Sequence, residues 1–528
     1  MNAVDASNSS RDAGGPSWRL GRVFDGAAAA APNATALIAG RERHEISYTA
    51  LRDLVVALAE RLLGAGLNRG DVVAVESTNT VEYVVGLLAA SRAGLVVAPL
   101  DPALSAADKR MRTEMAGVRA VLLAGNQPDD DAASRDLPTW TLGFAVADGS
   151  ASGLSMDLDM GAPPRSGGQT PALADNDALI MFTSGTTGKP KMVPWTHDNV
   201  AASVAGIIDT YRLGPDDSTV AVMPLFHGHG LMAALLATLA SGGRILLPQR
   251  GRFSAQTFWD DMEAADATWY TAVPTIHQIL LDRSATDHPS DDYGRLRFVR
   301  SCSAPLSPSV VQRLEATFGA PMLAAYGMTE TTHQCASVLL TDDDDARVRT
   351  AGSPTGVAVR IVDEHGASCS PGVAGEIQFR GPTVVRGYLE NPEATAATFV
   401  EGWVRTGDLG VLDGRGAVTV IGRIKEQINR GGEKISPERV ERVLLGHPEV
   451  TGAVVFGVPD ELYGERVAAA VVCRGRSRPD LVASSREELA GFEIPEHILF
   501  VEELPVTAKG SVDRAKAVKQ FAEHIQSG

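Results

Sequence analysis

Residues 183–191 read Thr-Ser-Gly-Thr-Thr-Gly-Lys-Pro-Lys. An apolar run, Ala178-Leu179-Ile180-Met181-Phe182, precedes them and reads as a buried strand. A helix is predicted to begin near His197, so the nine residues are expected between a strand and a helix. Gly185 and Gly188 permit backbone angles that bring amides close to an anion. Thr183, Ser184, Thr186 and Thr187 supply hydroxyls, and Lys189 and Lys191 supply charge. That inventory suits a polyphosphate. A Walker A loop has four residues between its glycines and Ser or Thr after its Lys. Here two residues separate the glycines and Pro190 follows Lys189, so the stretch is not one. A bland reading, a polar surface loop, competes for any generic Gly/Ser/Thr run.

Composition bounds the answer. A chain of 528 residues is too long for one core and implies two or more domains. The hydrophobic content of 44% is that of a globular protein. A net charge of −17 argues against a nucleic-acid partner. It does not argue against anionic substrates, because a local site can be basic in an acidic protein. Cys302, Cys335, Cys369 and Cys473 form no Cys-x-x-Cys pair, which fits a reducing, cytoplasmic compartment. No apolar run is long enough to span a bilayer. Residues 1–18 are polar and are expected to form a disordered tail.

Regular patterning begins at Ile46. A helix is predicted over Leu51–Leu63 and another over Val81–Ala93. Strands are predicted at Asp71–Val75, Leu95–Ala98 and Arg119–Leu123. The alternation implies a mainly parallel sheet with covering helices. Gly125–Ala174 reads as a loop-rich connection with one short strand over Thr139–Phe144. A second α/β section follows residue 191, with strands near Thr219–Met223, Arg244–Leu247, Thr268–Ala272, Phe298–Ser301 and Met322–Ala325. After about Thr350, short strands joined by Gly and Pro turns imply a small β-subdomain. Gly422-Arg423-Ile424-Lys425-Glu426 reads as a boundary before a compact α+β segment, in which a helix is predicted over Arg486–Ala490.

Three further stretches carry chemistry. Pro224-Leu225-Phe226-His227-Gly228-His229-Gly230 places two histidines in one loop; lacking adjacent carboxylates, it reads as a pocket lining rather than a metal site. Ala325-Tyr326-Gly327-Met328-Thr329-Glu330 follows a strand and offers a hard carboxylate of the kind Mg²⁺ takes. Trp403-Val404-Arg405-Thr406-Gly407-Asp408-Leu409 reads as a short turn with one acid.

Together these motifs, in order over roughly Ile46 to the C-terminus, resemble the acyl-adenylate-forming enzymes: acyl-CoA synthetases, beetle luciferases and adenylation domains. The resemblance implies an α/β fold with a large N-terminal domain over 19–421 and a small mobile α+β C-terminal domain over 422–528. It implies ATP, Mg²⁺ and CoA. By position, residues 183–191 (Thr183, Ser184, Gly185, Thr186, Thr187, Gly188, Lys189 and Lys191) hold phosphates, with Ser303, Ala304, Pro305 and Gly327 beside the nucleotide. Tyr326 stacks on adenine, Thr329 contacts the α-phosphate, and Thr183 and Glu330 are the metal side. Asp408 accepts the ribose hydroxyls and Arg423 lies on the ribose and phosphate side. His227 lies in the segment that lines the acyl pocket and gates between ATP-bound and CoA-bound forms, Lys425 is the hinge, and Gly431, Gly432 and Lys434 face CoA.

A narrower resemblance, to oxalate–CoA ligases, covers Gly251–Trp259, Ala267–Ile279, Arg300-Ser301-Cys302-Ser303-Ala304 and Asn429–Pro437. It implies a small acid, with His229, Ser301, Ser303 and His333 as polar candidates for a second carboxylate. A longer fatty acid or a carrier-protein acceptor is the alternative. Two departures stand out. Met192 replaces a usual Gly, and Ser511 stands where the family carries a catalytic Lys, with Lys509 two residues earlier. Lys509 either takes over that role or is a surface charge.

Overall fold

The computed structural model describes residues 19–124, 137–146, 153–166, 170–183, 189–287, 294–475, 478–507 and 512–526. The expected tail over 1–18, the loop residues Ser184–Gly188, and Lys509 with Ser511 lie outside them.

A seven-stranded sheet anchors the first α/β section. Its spatial order is Leu154–Met160, Thr139–Val146, Val118–Ala124, Val72–Glu76, Val96–Leu100, Asp177–Thr183 and Lys191–Thr196. The five inner strands are mutually parallel and the two outer ones antiparallel to their neighbours. Helices Tyr48–Gly64 and Val81–Arg92 cover it, the first burying Leu51, Leu54, Val55, Leu58 and Leu62 at helical spacing. Two of the expectations change here. The connection 125–174 contains a β-hairpin, with Trp140 opposite Met160, rather than one short strand. Residues 183–191 join two strands of a hairpin, Thr183 opposite Lys191, rather than a strand and a helix. The helix His197–Tyr211 follows, started by a capping box in which Thr196 and Asn199 satisfy each other's backbone amides.

The second section supplies two more sheets. One pairs Ser218–Val220, Arg244–Leu246, Thr35–Ala39 and His44–Ser47. The other runs Trp269–Ala272, Phe298–Ser301 and Met322–Tyr326 in parallel, with Ala336–Ser337 and Ser353–Pro354 antiparallel at its edge. The expected β-subdomain is present, with strands Ala358–Val362, Gly375–Arg380, Trp403–Leu412 and Val418–Arg423. Asp408 therefore sits in a strand and not in a turn. A register shift beside it and a positive φ of 70° at Gly407 locally re-aim the chain.

From Ile428 onward the chain builds cores of its own: one around Val440, Val455, Val467 and Val471, the other around Phe456, Ala468, Ala517 and Phe521. In this segment the predicted helix 486–490 is displaced to Leu481–Ser485, where Asp480 caps the backbone amide of Ala483. The segment touches the larger part through Arg474, whose guanidinium lies 3.0 Å from Asp282, and through Ser436 Oγ, which donates to the Ile421 carbonyl. No described helix is long and apolar enough to cross a membrane.

Burial also sets an acid limit. His277 is enclosed beside Tyr270, and His197 accepts a hydrogen bond from the Leu20 amide; burial pushes both imidazoles down to about 4. An unfolded chain takes up these protons near 6.5. Between those values the unfolded state binds more protons, so stability rises with pH. The melting temperature should fall steadily from pH 6.5 to 4, and His277→Gln should make that fall shallower; a parallel slope in the variant would remove His277 from the account.

Candidate active site

The carboxyl ends of three strands bring the predicted residues together, as expected for ligand sites in open parallel sheets. Thr183 ends one strand, Ser301 a second and Tyr326 a third. Behind them Gly327 lies so close to the His333 carbonyl that a Cβ would stand 1.4 Å from its oxygen, so only glycine fits. Ser303, Thr332 and His333 hold positive φ values of 80°, 51° and 83°. Strained backbone of this kind is kept where the surroundings over-determine it.

One half of the site is built round two carboxylates. Asp408, 3% exposed, accepts from Tyr326 Oη through one oxygen and pairs with Arg423 Nε at 2.8 Å through the other. Burial pushes its carboxyl up, and Arg423 opposes the shift. Burial first, and Asp408 second, hold the Tyr326 phenol well above its ordinary range, so it remains a neutral donor. A carboxylate has roughly four acceptor positions, so acceptor capacity remains for two hydroxyls. Glu330 is buried and accepts from Tyr388 Oη at 2.7 Å. Lys191 Nζ lies over the Tyr388 ring, 4.5 Å from its centre. Thr329 is fixed through its carbonyl, which accepts from Trp195 Nε1 at 2.7 Å. Met192 is accommodated in a strand, its side chain packed with Ile180 and Leu389. Lys189 is exposed, as are Ser303, Ala304 and Pro305.

No described cluster of three or more His, Cys, Asp or Glu could hold a metal alone. Mg²⁺ in nucleotide sites needs one or two carboxylates and the substrate's own phosphates. Buried Glu330 fits that requirement, and Thr183 ends the strand that leads into the phosphate loop.

The other half is histidine-rich. His229 opens a fully buried π-helical stretch, His229–Leu236, a distortion common at functional sites. Its ring stacks on His333 with centres 5.4 Å apart. Its Nδ1 is 3.5 Å from Ser303 Oγ and its Nε2 is 2.6 Å from Thr271 Oγ1. His227 reaches the same turn, its Nδ1 accepting from the His229 amide at 3.3 Å. Ser301 Oγ is buried with no hydrogen-bond partner among the described residues. Burial, and then Arg300, hold both His229 and His333 well below their ordinary value, so both are neutral.

Gly431 and Gly432 stand apart from this cluster. They form a two-residue hairpin turn with φ of 62° and 95°, contacting Tyr463 and Asn429. Lys434 and Lys425 are exposed. Around residues 508–511, Val506 pairs with Val512 and the Asp513 amide donates to the Pro505 carbonyl at 2.8 Å. Arg514 then ties this segment to Glu441 and to Glu426 at 3.0 Å. Trp195, Tyr388 and Arg300 carry contacts that motif reading left unassigned. Only Arg300 had a signal, a charge inside the apolar strand Phe-Val-Arg-Ser.

This arrangement is that of a nucleotide-dependent carboxylate-activating enzyme. The chain belongs to the AMP-binding enzyme family, matching it over residues 24–389, with the family's C-terminal domain over 439–511. It is 44% identical to an oxalate–CoA ligase of Arabidopsis thaliana over 91% of this chain and 94% of that protein. It is 35% identical to a sulfoacetate–CoA ligase of Cupriavidus necator over 92% and 94%. ATP-bound MatB from Rhodopseudomonas palustris superposes with a TM-score of 0.82 at 31% identity, covering 96% of this chain and 99% of that one. The chain is thus an acid–thiol ligase of the AMP-forming acyl-CoA synthetase type, with ATP, CoA and a carboxylic acid as substrates.

Glu330→Gln keeps an acceptor for Tyr388 but removes the charge. Pyrophosphate release should fall about 10²–10³-fold with the circular dichroism unchanged. Tyr388→Phe should cost only about two- to tenfold. Equal losses in the two variants would place the effect in the hydrogen bond and not in the carboxylate.

Proposed function

We propose that the acid is oxalate. The observation that carries this reading is the acyl side of the site, where His229, His333 and Ser303 meet in front of the buried Arg300. Such a wall is polar and cationic and suits a second carboxylate; a fatty acyl chain wants an apolar tunnel. The names of the relatives agree, since oxalate and sulfoacetate each carry a second acidic group besides the carboxylate that is activated.

In the first half-reaction one oxalate oxygen attacks the α-phosphorus of ATP, and the bond to pyrophosphate breaks. The CoA sulfur then attacks the activated carbonyl carbon, and its bond to the AMP oxygen breaks. The thiol proton goes to solvent. Positioning and charge stabilisation are the protein's contribution. Asp408 and Arg423 orient the ribose, Tyr326 stacks on adenine, and Thr329 with residues 183–191 orients the phosphates. Glu330 would hold Mg²⁺, which when bound would supply neutralisation of the phosphate charge. Lys509 takes the place of the lysine absent at position 511, a reading supported by its nearness in sequence and by the pairing of the flanking Val506 with Val512. Between half-reactions the unit 422–528 rotates about Lys425, bringing Gly431, Gly432 and Lys434 to the site. The segregated cores beyond Ile428 and the exposed hinge turn support that motion. Four free cysteines suit a cytoplasmic setting.

Incubation with ATP, Mg²⁺ and CoA should yield oxalyl-CoA from oxalate with equivalent AMP by mass spectrometry, and little product from acetate or a long-chain acid. A long-chain product would overturn the reading. Lys509→Ala should lower pyrophosphate release about 10²–10³-fold; an unchanged rate would assign Lys509 to the surface.

A further inference from the structure

Arg300 is fully buried, yet it forms no ion pair with a carboxylate among the described residues. Its Nε donates to Tyr211 Oη at 2.8 Å, and its Nη1 to Thr271 Oγ1 at 3.0 Å. Its Nη2 donates to His333 Nε2 at 3.0 Å and to Gln334 Oε1 at 2.9 Å. None of these four acceptors is a carboxylate, and the side chain of the next residue but one, Cys302, is a further partner of the guanidinium. A guanidinium has only donors and stays protonated in proteins. A charge buried without a counter-charge is costly unless something anionic completes it.

The same donors settle one proton position, on His333, and point to a second, on His229. His333 Nε2 must accept from Arg300, so a neutral His333 carries its proton on Nδ1. Thr271 Oγ1 accepts from Arg300, and His229 Nε2 at 2.6 Å is the acceptor its own proton reaches. With Thr271 donating to it, His229 carries its proton on Nδ1, the atom 3.5 Å from Ser303 Oγ. Two stacked imidazoles thus share one tautomer, and one cation lies behind both.

We propose that Arg300 is the positioning residue for acids with a second anionic group. It fixes His229 and His333 as Nδ1–H donors and leaves its own charge to be completed by the substrate. The kinetic part of this rests on the oxalate reading; the tautomer part does not. The competing role is a staple, since Arg300 joins the helix His197–Tyr211, two strands and residues 333–334. A staple alone would lower activity equally toward all acids.

Two measurements separate the roles. In ¹⁵N-histidine-labelled protein without substrate, His229 and His333, assigned through single His→Gln variants, should show protonated Nδ1 and bare Nε2. Arg300→Met should return His333 to a mixture of tautomers. In kinetics, Arg300→Met should lower the kcat/KM ratio of oxalate over acetate at least about tenfold, mainly through KM, the scale of one charge-assisted hydrogen bond. Arg300→Lys should restore part of that ratio. Protonated Nε2 in the wild type, or a ratio unchanged in Arg300→Met, would overturn the proposal. If Arg300→Met does not fold, the wild-type spectrum and the Arg300→Lys ratio decide it. If the wild type ignores oxalate, the substrate reading fails alone and the spectra still test the tautomers.

Discussion

One buried cation ties the acyl side together. Arg300 leaves the middle of a parallel strand, between Thr271 on one neighbour and Leu323 on the other. It gathers Tyr211 at the end of a helix, Thr271, and the segment His333–Gln334. Tyr211 passes the constraint on through Ser337 Oγ at 2.7 Å, and its ring stacks on Phe298. None of these acceptors neutralises the charge. The arrangement holds together because each of the three guanidinium nitrogens has an acceptor, and satisfied buried polar networks rigidify a core. The sparse backbone angle at His333 lies within reach of these contacts, while Thr332 is held by Ser203 Oγ, which donates to its carbonyl, and by the Thr383 carbonyl, which accepts from its hydroxyl.

The nucleotide side follows a different electrostatic rule. Asp408 and Arg423 face each other across paired strands, a charge already balanced. Arg386 and the buried Asp177 also balance each other, beside the start of the helix that begins at His197. Glu330 is the exception there: its described partner is a neutral phenol, Tyr388. A carboxylate left with negative charge and a guanidinium left with positive charge therefore mark the two halves of one site.

Much of this was legible in the chain. The helical spacing of Leu51 to Leu62 and the apolar run 178–182 read directly as covered helix and buried strand, because burial on one face or on both leaves a pattern. The hairpin of Thr139–Val146 and Leu154–Met160 also left one, in the alternation of Leu154, Met156, Leu158 and Met160. Its Asp- and Gly-rich flanks masked that signal. Residues 403–409 read as a turn because Gly407 and Asp408 are turn formers, whereas pairing with the strands 375–380 and 418–423 overrides that preference. Motif residues were legible and their supports were not. Trp195 and Tyr388 act through contacts separated by more than fifty residues, and no local pattern encodes such a pairing.

The acidity of the whole chain sharpens the meaning of its few unbalanced cations. A protein with net charge −17 repels anions at long range, yet ATP, CoA and an acid must all enter. Screening limits that repulsion to about 10 Å in ordinary salt, so affinity depends on what lies at the site itself. There, cations already matched by carboxylates, such as Arg423, can orient a ligand but add little net attraction. Lys191, held over a ring, and Arg300 have no carboxylate paired with them among the described residues. Under the oxalate proposal, the distinction between a paired and an unpaired cation, more than the number of basic residues, would direct phosphate to one half of the site and a second carboxylate to the other.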